Sequence, residues 1–214
     1  MPSASLIKEF EQLVGKENVF SSEADRQSYA YDAAVLKPMI PSLVVRPTEV
    51  EQLGQVVKRC YEEGIPMTVR GSGTNLTGGT IPDCSDTIVI LTTGLNKILE
   101  INTEDLYATV QPGVITAKFA AAVAAKGLFY PPDPGSMSVS TIGGNVAESS
   151  GGLRGLKYGT TKDYVMGLEF YDHTGELVKS GSRTVKCATG YNLGGLLVGS
   201  EGTLAVTSKV TLKL

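Results

Sequence analysis

The residues of this chain best suited to chemistry form a glycine-rich loop at 70–79, with the sequence Arg-Gly-Ser-Gly-Thr-Asn-Leu-Thr-Gly-Gly. The loop follows a strand-like run at 67–69. Glycine allows backbone N–H groups to approach a ligand closely, and successive N–H groups can form an anion-binding concavity. Arg70 adds a positive charge beside this concavity. The pattern therefore predicts a binding site for the diphosphate of a ligand.

A second glycine-rich stretch extends from Pro131 to Gly159 and shows almost no periodicity. Six of the 17 residues from 143 to 159 are glycine. A stretch of this length without regular structure inside a compact domain is usually functional or disordered. Its small and apolar residues, with few charges, favour a functional role.

The elements around these two segments follow from hydrophobic periodicity and from turn residues. Helix 48–64 is expected to begin at Thr48, with Glu51 completing a capping box. The pattern predicts helices at 3–30 (with a stop at Gly15), 48–64 and 114–126, and strands at 43–45, 67–69, 87–91, 98–101, 106–110, 165–171, 177–179 and 204–214.

The order of these elements predicts an α+β fold of two small α/β subdomains with mixed sheets. Residues 1–42 form a helical lead-in and residues 43–214 form the domain. The strands at 43–45 and 67–69 with the helix between them make a βαβ unit, but the glycine loop follows the second strand. A Rossmann fold places its loop between the first strand and the helix, so the order argues against that fold.

Composition excludes several classes of function. The 19 Lys and Arg residues balance 22 Asp and Glu residues, so no basic patch indicates nucleic-acid binding. No apolar run is long enough to span a membrane, and the N-terminus lacks the apolar core of a signal peptide. Cys60, Cys84 and Cys187 are too dispersed for a metal site, and His173 stands in a turn sequence. We therefore expect a cytoplasmic protein with idle thiols and no bound metal.

Taken together, the motifs resemble the FAD-binding (PCMH-type) domain of the vanillyl-alcohol-oxidase and p-cresol-methylhydroxylase superfamily. The nearest likeness within it is to the D-2-hydroxyacid dehydrogenases, which include the glycolate oxidase flavin subunit, D-lactate dehydrogenase and D-2-hydroxyglutarate dehydrogenase. The resemblance covers about residues 43–214. Its landmarks are the segments 46–50, 70–79, 131–136, 142–148, 156–159, 189–193 and 199–204.

The resemblance implies that several segments bind FAD. The 70–79 loop would donate hydrogen bonds to the pyrophosphate, and residues 132–136 would line the cofactor's path. Residues 143–145 would approach the phosphates and the ribityl chain. Glu148, Gly151 and Gly152 would approach the flavin end, and Gly202 and Val206 would pack near the adenosine half. The implied cofactor-binding residues are Arg70, Gly71, Ser72, Gly73, Thr74, Asn75, Gly78, Gly79, Pro132, Asp133, Gly135, Ser136, Gly143, Gly144, Asn145, Glu148, Gly151, Gly152, Gly202 and Val206.

The chain departs from the family pattern at three positions. Relatives that tether the flavin covalently often have histidine in the glycine loop, whereas this loop has Thr74 and no histidine. Because threonine cannot alkylate the flavin ring, we expect non-covalent FAD. Ser149 stands where close relatives often have asparagine, and Ala205 where they often have glycine. These two changes loosen the subfamily assignment and leave the FAD interpretation in place.

The resemblance implies a flavin-dependent 2-hydroxyacid dehydrogenase of the D-lactate or glycolate type. Substrate hydride would pass to FAD, and electrons would then leave to a separate quinone, cytochrome or electron-transfer flavoprotein, which allows peripheral contact with a membrane. In this family the substrate-binding, metal-binding and basic residues belong to a C-terminal domain, so we name no catalytic residue here. The alternatives are a flavin-carrying electron-transfer or phosphate-binding module and a relative of the cell-wall enolpyruvyl-sugar reductase.

Overall fold

The computed structural model describes residues 2–214 and folds them into two sheets with helices packed against them. The helices are α1 Ala4–Val14, α2 Glu23–Gln27, α3 Val50–Glu62, α4 Thr116–Ala124, α5 Ile142–Glu148, α6 Gly155–Tyr158 and α7 Leu193–Leu197. The strands are β1 Val19–Phe20, β2 Leu43–Val45, β3 Met67–Arg70, β4 Ile88–Leu91, β5 Ile98–Asn102, β6 Tyr107–Val110, β7 Val165–Tyr171, β8 Leu177–Gly181 and β9 Val206–Lys213. The α+β class expected from the sequence is confirmed.

The first sheet has the strand order β1-β2-β4-β3 and is mixed. Strands β2, β4 and β3 are parallel, and β1 pairs antiparallel with β2 at the edge. The βαβ unit of β2, α3 and β3 is confirmed, with β4 inserted between its two strands. The side chains of β2 and β4 are buried along their whole length, as is typical of strands covered on both faces.

The apolar faces of α1 and α3 cover this sheet and form its core. Leu53, Val57 and Cys60 recur at helical spacing on the buried face of α3. Burial raises the pKa of the Cys60 thiol to about 12. The thiol therefore stays protonated near neutral pH and acts as a small core residue, in agreement with the sequence analysis.

The N-terminal segment is helical only in part, so the expected helix over 3–30 is wrong. Helix α1 ends at Val14, because Gly15 has a φ of +89°, which a residue with a side chain rarely adopts. The chain then adds the short strand β1 to the first sheet before α2. The 1–42 segment therefore contributes a strand as well as helices, and its division from the rest of the chain stays a prediction.

Helix α3 begins two residues later than the sequence pattern suggested. Its N-cap is Glu49, and the Gln52 side-chain oxygen accepts hydrogen bonds from the backbone N–H groups of Thr48 (2.9 Å) and Glu49 (3.1 Å). The expected pairing of Thr48 with Glu51 is therefore wrong. Glu51 would suit a capping box that starts at Thr48, and Gln52 suits the observed one that starts at Glu49. In the observed arrangement the Gln52 amide also donates to the Leu13 carbonyl at 3.0 Å.

The second sheet has the order β5-β6-β9-β7-β8, and every pairing in it is antiparallel. The expectation of a mixed sheet is thus wrong here, because two hairpins flank the last strand, which enters between them. The predicted hairpin of β7 and β8 is confirmed. Apolar residues of α4, α5 and α7 pack against β6, β7 and β9 to form the second core.

The glycine-rich stretch 131–159 contains two helices, α5 and α6, which periodicity did not predict. Thr141 caps α5, and its hydroxyl accepts from the backbone N–H of Gly144 at 3.3 Å. Ile142, Asn145 and Val146 are the buried residues of α5 and share one face. The two glycines at its start interrupt the apolar pattern, and this explains why the sequence suggested no regular structure.

The two sheets are joined where Tyr171 of β7 packs on Gly54 of α3. Tyr171 is buried and belongs to the core of the first sheet, although its strand lies in the second. A Cβ atom at Gly54 would collide with the Tyr171 ring. Glycine at this helix position is therefore required by close packing between the subdomains.

We predict that Gly54→Ala destabilises the protein although alanine is the better helix former. Alanine gains about 0.5–1 kcal/mol in helix propensity, but forcing a methyl group against a buried ring costs typically about 1–3 kcal/mol. Urea unfolding of the variant measures the difference. The matched control is Gln55→Ala on the exposed side of α3, which should change stability by less than about 0.5 kcal/mol. A Gly54→Ala protein as stable as the control contradicts this packing account.

Candidate functional site

A cleft lies where the two subdomains meet, and the glycine loop forms one of its walls. The space between its walls, including the part open to solvent, is about 800 Å³. Val69 and Thr92 of the first subdomain line it, and Ala205 and Thr207 line it from the chain around the start of β9. The start of α5 and the turn before β9 complete the walls.

Most of the residues expected to bind FAD line this cleft. Those that do are Gly71, Ser72, Gly73, Thr74, Asn75, Gly79, Ser136, Gly143, Gly144, Asn145, Glu148 and Gly202. Those outside the lining are Arg70, Gly78, Pro132, Asp133, Gly135, Gly151, Gly152 and Val206. Both glycine-rich segments therefore meet at one site, as the sequence suggested, and the role of each residue toward FAD stays a prediction.

The backbone of the glycine loop contains a run of N–H groups without partners in the described part of the protein. Within residues 2–214, the N–H groups of Ser72, Gly73, Thr74 and Asn75 donate to no other group of the protein. Gly73 has a φ of +69°, which bends the loop after β3 ends. Consecutive unpaired N–H groups in a bent loop are the donors that bind phosphate oxygens. The loop therefore has the donors that an anion would need, and its role toward the FAD pyrophosphate stays a prediction.

Arg70 differs from its expected role, because its guanidinium lies beneath the loop and not in the cleft. The side chain is buried, and its Nη1 donates to the Tyr31 carbonyl at 2.7 Å and to the Thr80 hydroxyl at 3.2 Å. Burial lowers the pKa of Arg70, and the nearby Asp32 opposes that shift. A Cβ atom at Gly73 would collide with this guanidinium. Arg70 thus supports the loop from below.

The start of α5 forms the opposite wall by close packing. The N–H of Gly143 donates to the Pro112 carbonyl at 2.7 Å, and the N–H of Gly144 donates to the Thr141 hydroxyl. A Cβ atom at Gly143 would lie 2.6 Å from the Pro112 Cβ. The buried Asn145 uses its amide to bind the Thr116 hydroxyl at 2.8 Å. These hydrogen bonds and contacts shape the cleft wall at the start of α5.

Two of the predicted residues outside the lining have clear structural contacts with each other. Asp133 accepts a hydrogen bond from the Arg154 N–H at 3.1 Å and lies 3.5 Å from its Nε. The backbone of Gly152 packs directly on Asp133, with no room for a Cβ atom. Gly152 and Asp133 therefore join the 151–154 segment to the 132–134 segment.

Val206 is outside the lining because side chains alternate along β9. It is buried in the core of the first sheet, whereas its neighbours Ala205 and Thr207 face the cleft. The expected position of Val206 near the adenosine half of the cofactor stays a prediction. The alternation of the last strand, which the sequence already showed, could have identified the two neighbours.

Two carboxylates face the cleft near the far end of the glycine loop. Glu148 accepts a hydrogen bond from the Thr77 hydroxyl at 3.1 Å, and Glu201 lies against Gly79. Burial raises the pKa of Glu148, and the charges of Glu201 and Asp32 raise it further, while the Thr77 hydrogen bond opposes the shift. Glu201 has a φ of +55°, an uncommon conformation for a residue with a side chain.

Sequence reasoning missed several residues of the lining. They are Val69, Thr80, Thr92, Pro112, Ser140, Thr141, Ala147, Ser150, Glu201, Ala205 and Thr207. Most are small or hydroxyl-bearing neighbours of residues that were identified. Thr141 could have been found as the residue that precedes a helix, since threonine is a preferred N-cap. Glu201 lies within the 199–204 landmark, but the residue pattern there did not indicate that its carboxylate faces the cleft.

The comparisons with known proteins agree with this geometry. A family model described as an FAD binding domain matches residues 41–181. The chain is 49% identical over 203 residues to the glycolate oxidase subunit GlcD of Bacillus subtilis, covering 95% of this chain and 43% of that protein. It is 37% identical over 209 residues to the D-lactate dehydrogenase of Anaerostipes hadrus, covering 98% of this chain and 44% of that protein.

A solved structure shows the same fold. The 4-ethylphenol oxidase of Gulosibacter chungangensis matches with a TM-score of 0.84 at 25% identity, covering 99% of this chain and 42% of that one. The chain belongs to the FAD-binding domain family of the vanillyl-alcohol-oxidase and p-cresol-methylhydroxylase superfamily. FAD is the cofactor of this family, and the chain spans less than half the length of the curated relatives it matches.

Two kinds of feature are absent from residues 2–214. No helix in this range has the length and apolar character needed to cross a membrane. No group of three or more His, Cys, Asp or Glu side chains in the same range is arranged to hold a metal ion.

We predict that Gly73→Ala abolishes high-affinity FAD binding. The methyl group would meet the Arg70 guanidinium, and the φ of +69° is itself unfavourable for alanine. Fluorescence titration with FAD measures the loss. The matched control is Gly127→Ala, where φ is +76° but no atom lies within 4 Å of the new methyl group. Both variants carry a backbone penalty of roughly 1–3 kcal/mol, and only the first should lose FAD. Equal FAD affinity in the two variants contradicts the steric role of Gly73.

We predict that Glu148→Gln stabilises the FAD-free protein at neutral pH. Folding disfavours the ionised carboxyl because its pKa is raised, so wild-type stability falls as pH rises from the unfolded value of 4.5 through the folded one. Glutamine keeps the acceptor for Thr77 and removes the charge. The melting temperature of the variant should exceed that of the wild type at pH 7, and the two should converge near pH 4.

The control for this experiment is Glu169→Gln on the second sheet. Burial alone would raise the pKa of Glu169, but hydrogen bonds from Lys209 and Lys179 lower it overall. The ionised form is therefore favoured by folding, and this variant should lose stability at pH 7. A Glu148→Gln protein that also loses stability at pH 7 refutes the account of Glu148.

Proposed function

We propose that this chain is the FAD-binding part of a flavin-dependent 2-hydroxyacid dehydrogenase of the D-lactate or glycolate type. The observation that carries the proposal is the row of unpaired N–H groups at 72–75 on the wall of an 800 Å³ cleft. The FAD pyrophosphate would bind these donors. Relatives named glycolate oxidase subunit and D-lactate dehydrogenase supply the substrate class.

The cleft walls also support non-covalent binding. Among the described residues, no His, Cys or Tyr side chain lines the cleft. A covalent flavin tether needs such a nucleophile, and the hydroxyl of Thr74 in the loop is a poor one. We therefore propose dissociable FAD that is attached through the hydrogen bonds of the loop.

Bound FAD would accept a hydride from the α-carbon of the substrate, because the cofactor carries the redox chemistry. The protein must add a cation for the substrate carboxylate and a base for its hydroxyl proton. Within residues 2–214, no Lys, Arg or His side chain lines the cleft. We propose that a C-terminal domain of the complete enzyme supplies both groups, consistent with relatives more than twice as long.

The electrons would leave to a separate acceptor such as a quinone, a cytochrome or an electron-transfer flavoprotein. We propose a cytoplasmic location for the enzyme, with peripheral contact to a membrane where the acceptor is a quinone. The near-neutral composition and dispersed cysteines support the first part of this proposal. Assay of the purified complete enzyme with each acceptor in turn, and comparison of the turnover rates, distinguishes among them.

The visible absorbance spectrum of the purified chain tests cofactor binding. We expect flavin bands after incubation with FAD and desalting, and release of all flavin into the supernatant on acid denaturation. Flavin that stays with the precipitated protein contradicts non-covalent attachment. A protein that shows no bands and no fluorescence change on titration with FAD overturns the proposed function.

The second part of the test concerns turnover. The chain with FAD should not oxidise D-lactate or glycolate, whereas the complete enzyme should reduce an artificial acceptor with one of them. Turnover by the 214-residue chain alone contradicts the division of roles proposed here. FAD binding without turnover of any 2-hydroxy acid by the complete protein favours an electron-transfer module instead.

A further inference from the structure

We propose that Asp32 is a positioning residue for the FAD-binding loop: it holds Asn75 and Thr80 so that the N–H groups at 72–75 face the cleft. This inference rests on the proposed function of that loop. Asp32 lies in the segment before the first parallel strand, outside the 41–181 region matched to the FAD-binding family. No sequence pattern singled it out.

The Asp32 carboxylate is buried and fully engaged. Its Oδ2 accepts a hydrogen bond from the Asn75 side-chain amide at 2.6 Å and lies 3.3 Å from the Thr80 hydroxyl. Its Oδ1 accepts from the backbone N–H of Ala34 at 2.8 Å. Only 8% of Asp32 is exposed. Since hydrogen bonds to a buried carboxylate are strong and short, Asp32 fixes the position of the Asn75 side chain.

The same short segment also holds the start of the loop. The carbonyl of Tyr31 accepts from the Arg70 guanidinium, and Arg70 in turn donates to Thr80. The Thr80 hydroxyl lies 3.0 Å from the Asn75 side-chain oxygen as well. Residues 31 and 32 therefore contact both ends of the glycine loop through a single connected network.

This hydrogen-bond network reduces the conformational entropy that a glycine-rich loop would lose on binding a ligand. Glycine has more conformational freedom to lose than other residues, so an unsupported loop would lose much of the binding free energy on ordering around FAD. A loop that is already held in its bound form avoids that cost. The Asn75 side chain, which is bonded to Asp32 and Thr80, is committed to support, and its backbone N–H remains for the ligand. Asp32 thus acts on FAD through Asn75 without touching the ligand.

The test is a double-mutant cycle on FAD affinity with Asp32→Asn, Asn75→Ala and the double variant. The asparagine side chain is isosteric with aspartate and its oxygen can still accept from Ala34, so the Asp32→Asn variant is expected to fold. Its amide nitrogen then faces the Asn75 amide and cannot accept from it. Each single substitution should raise the Kd for FAD by about ten- to a hundredfold. The Kd of the double variant for FAD should be no higher than the higher of the two single-variant values, because both substitutions remove the same hydrogen bond.

The control is Asp172→Asn in the β7–β8 turn. Asp172 also accepts backbone hydrogen bonds, from Thr174 at 2.8 Å and Glu176 at 3.0 Å, but lies away from the cleft lining. This variant should lose thermal stability and keep wild-type FAD affinity. If Asp32 had only a general structural effect, the Asp32→Asn variant would likewise lose thermal stability and keep its FAD affinity. A wild-type Kd for FAD in Asp32→Asn therefore overturns the inference.

Two outcomes separate this inference from the proposed function. Additive losses in the double variant show that Asp32 does not act through Asn75 and overturn the inference, while FAD binding by the wild type stands. A wild-type protein that binds no FAD overturns the proposed function first. Non-additive losses of FAD affinity, together with wild-type FAD affinity in the Asp172→Asn control, support the positioning role.

Discussion

In the proposed FAD complex the row of N–H groups at 72–75 must stay unpaired and yet keep a fixed direction, and the contacts around the loop suit this constraint. Strand β3 ends just before it, so no neighbouring strand takes up these donors. From below, the Arg70 guanidinium occupies the space that a side chain at Gly73 would need. From the other subdomain, the Val139 carbonyl accepts the Ser72 hydroxyl hydrogen bond at 2.6 Å. The loop is therefore supported on two sides and open on the third.

The cleft depends equally on the contact between the two sheets. Strand β9 lies in the second sheet, yet Val206 at its start packs into the core of the first, which leaves Ala205 and Thr207 facing the cleft. Tyr171 makes a similar crossing from the second sheet to α3. The walls therefore come from both subdomains, and a ligand that fills the cleft binds only their joined form. Such a ligand stabilises the folded protein to an extent that grows with its concentration relative to Kd.

Periodicity in the sequence was sufficient for the elements that bury a regular apolar face. The βαβ unit, α4, the β7–β8 hairpin and β9 follow from it, and the glycine loop follows from composition. Periodicity failed for α5, because Gly143 and Gly144 stand where its pattern begins. It also failed for β1, whose two residues are too few to show alternation.

The direction of a polar side chain was harder to predict than its proximity to the site. The sequence correctly placed Arg70 beside the glycine loop, but its guanidinium turns to the Tyr31 carbonyl, a partner 39 positions earlier. Asp32 and Asn75 are 43 positions apart and come together only in the folded chain. No local pattern encodes such partners. Single-sequence reasoning therefore found the loop and missed the residues that hold it.

The charge of the cleft limits how it can bind a diphosphate. Arg70 is covered by the loop, and Glu148 and Glu201 give the Thr77–Gly79 end negative potential. A site of this kind attracts anions through oriented N–H dipoles, whose effect falls off quickly with distance and angle, rather than through a net positive charge. In the proposed complex the phosphates are confined to the 72–75 wall, and the end with the carboxylates suits hydroxyl or ring groups of the cofactor. In that complex FAD affinity would depend on loop geometry more than on charge, as the positioning role proposed for Asp32 requires.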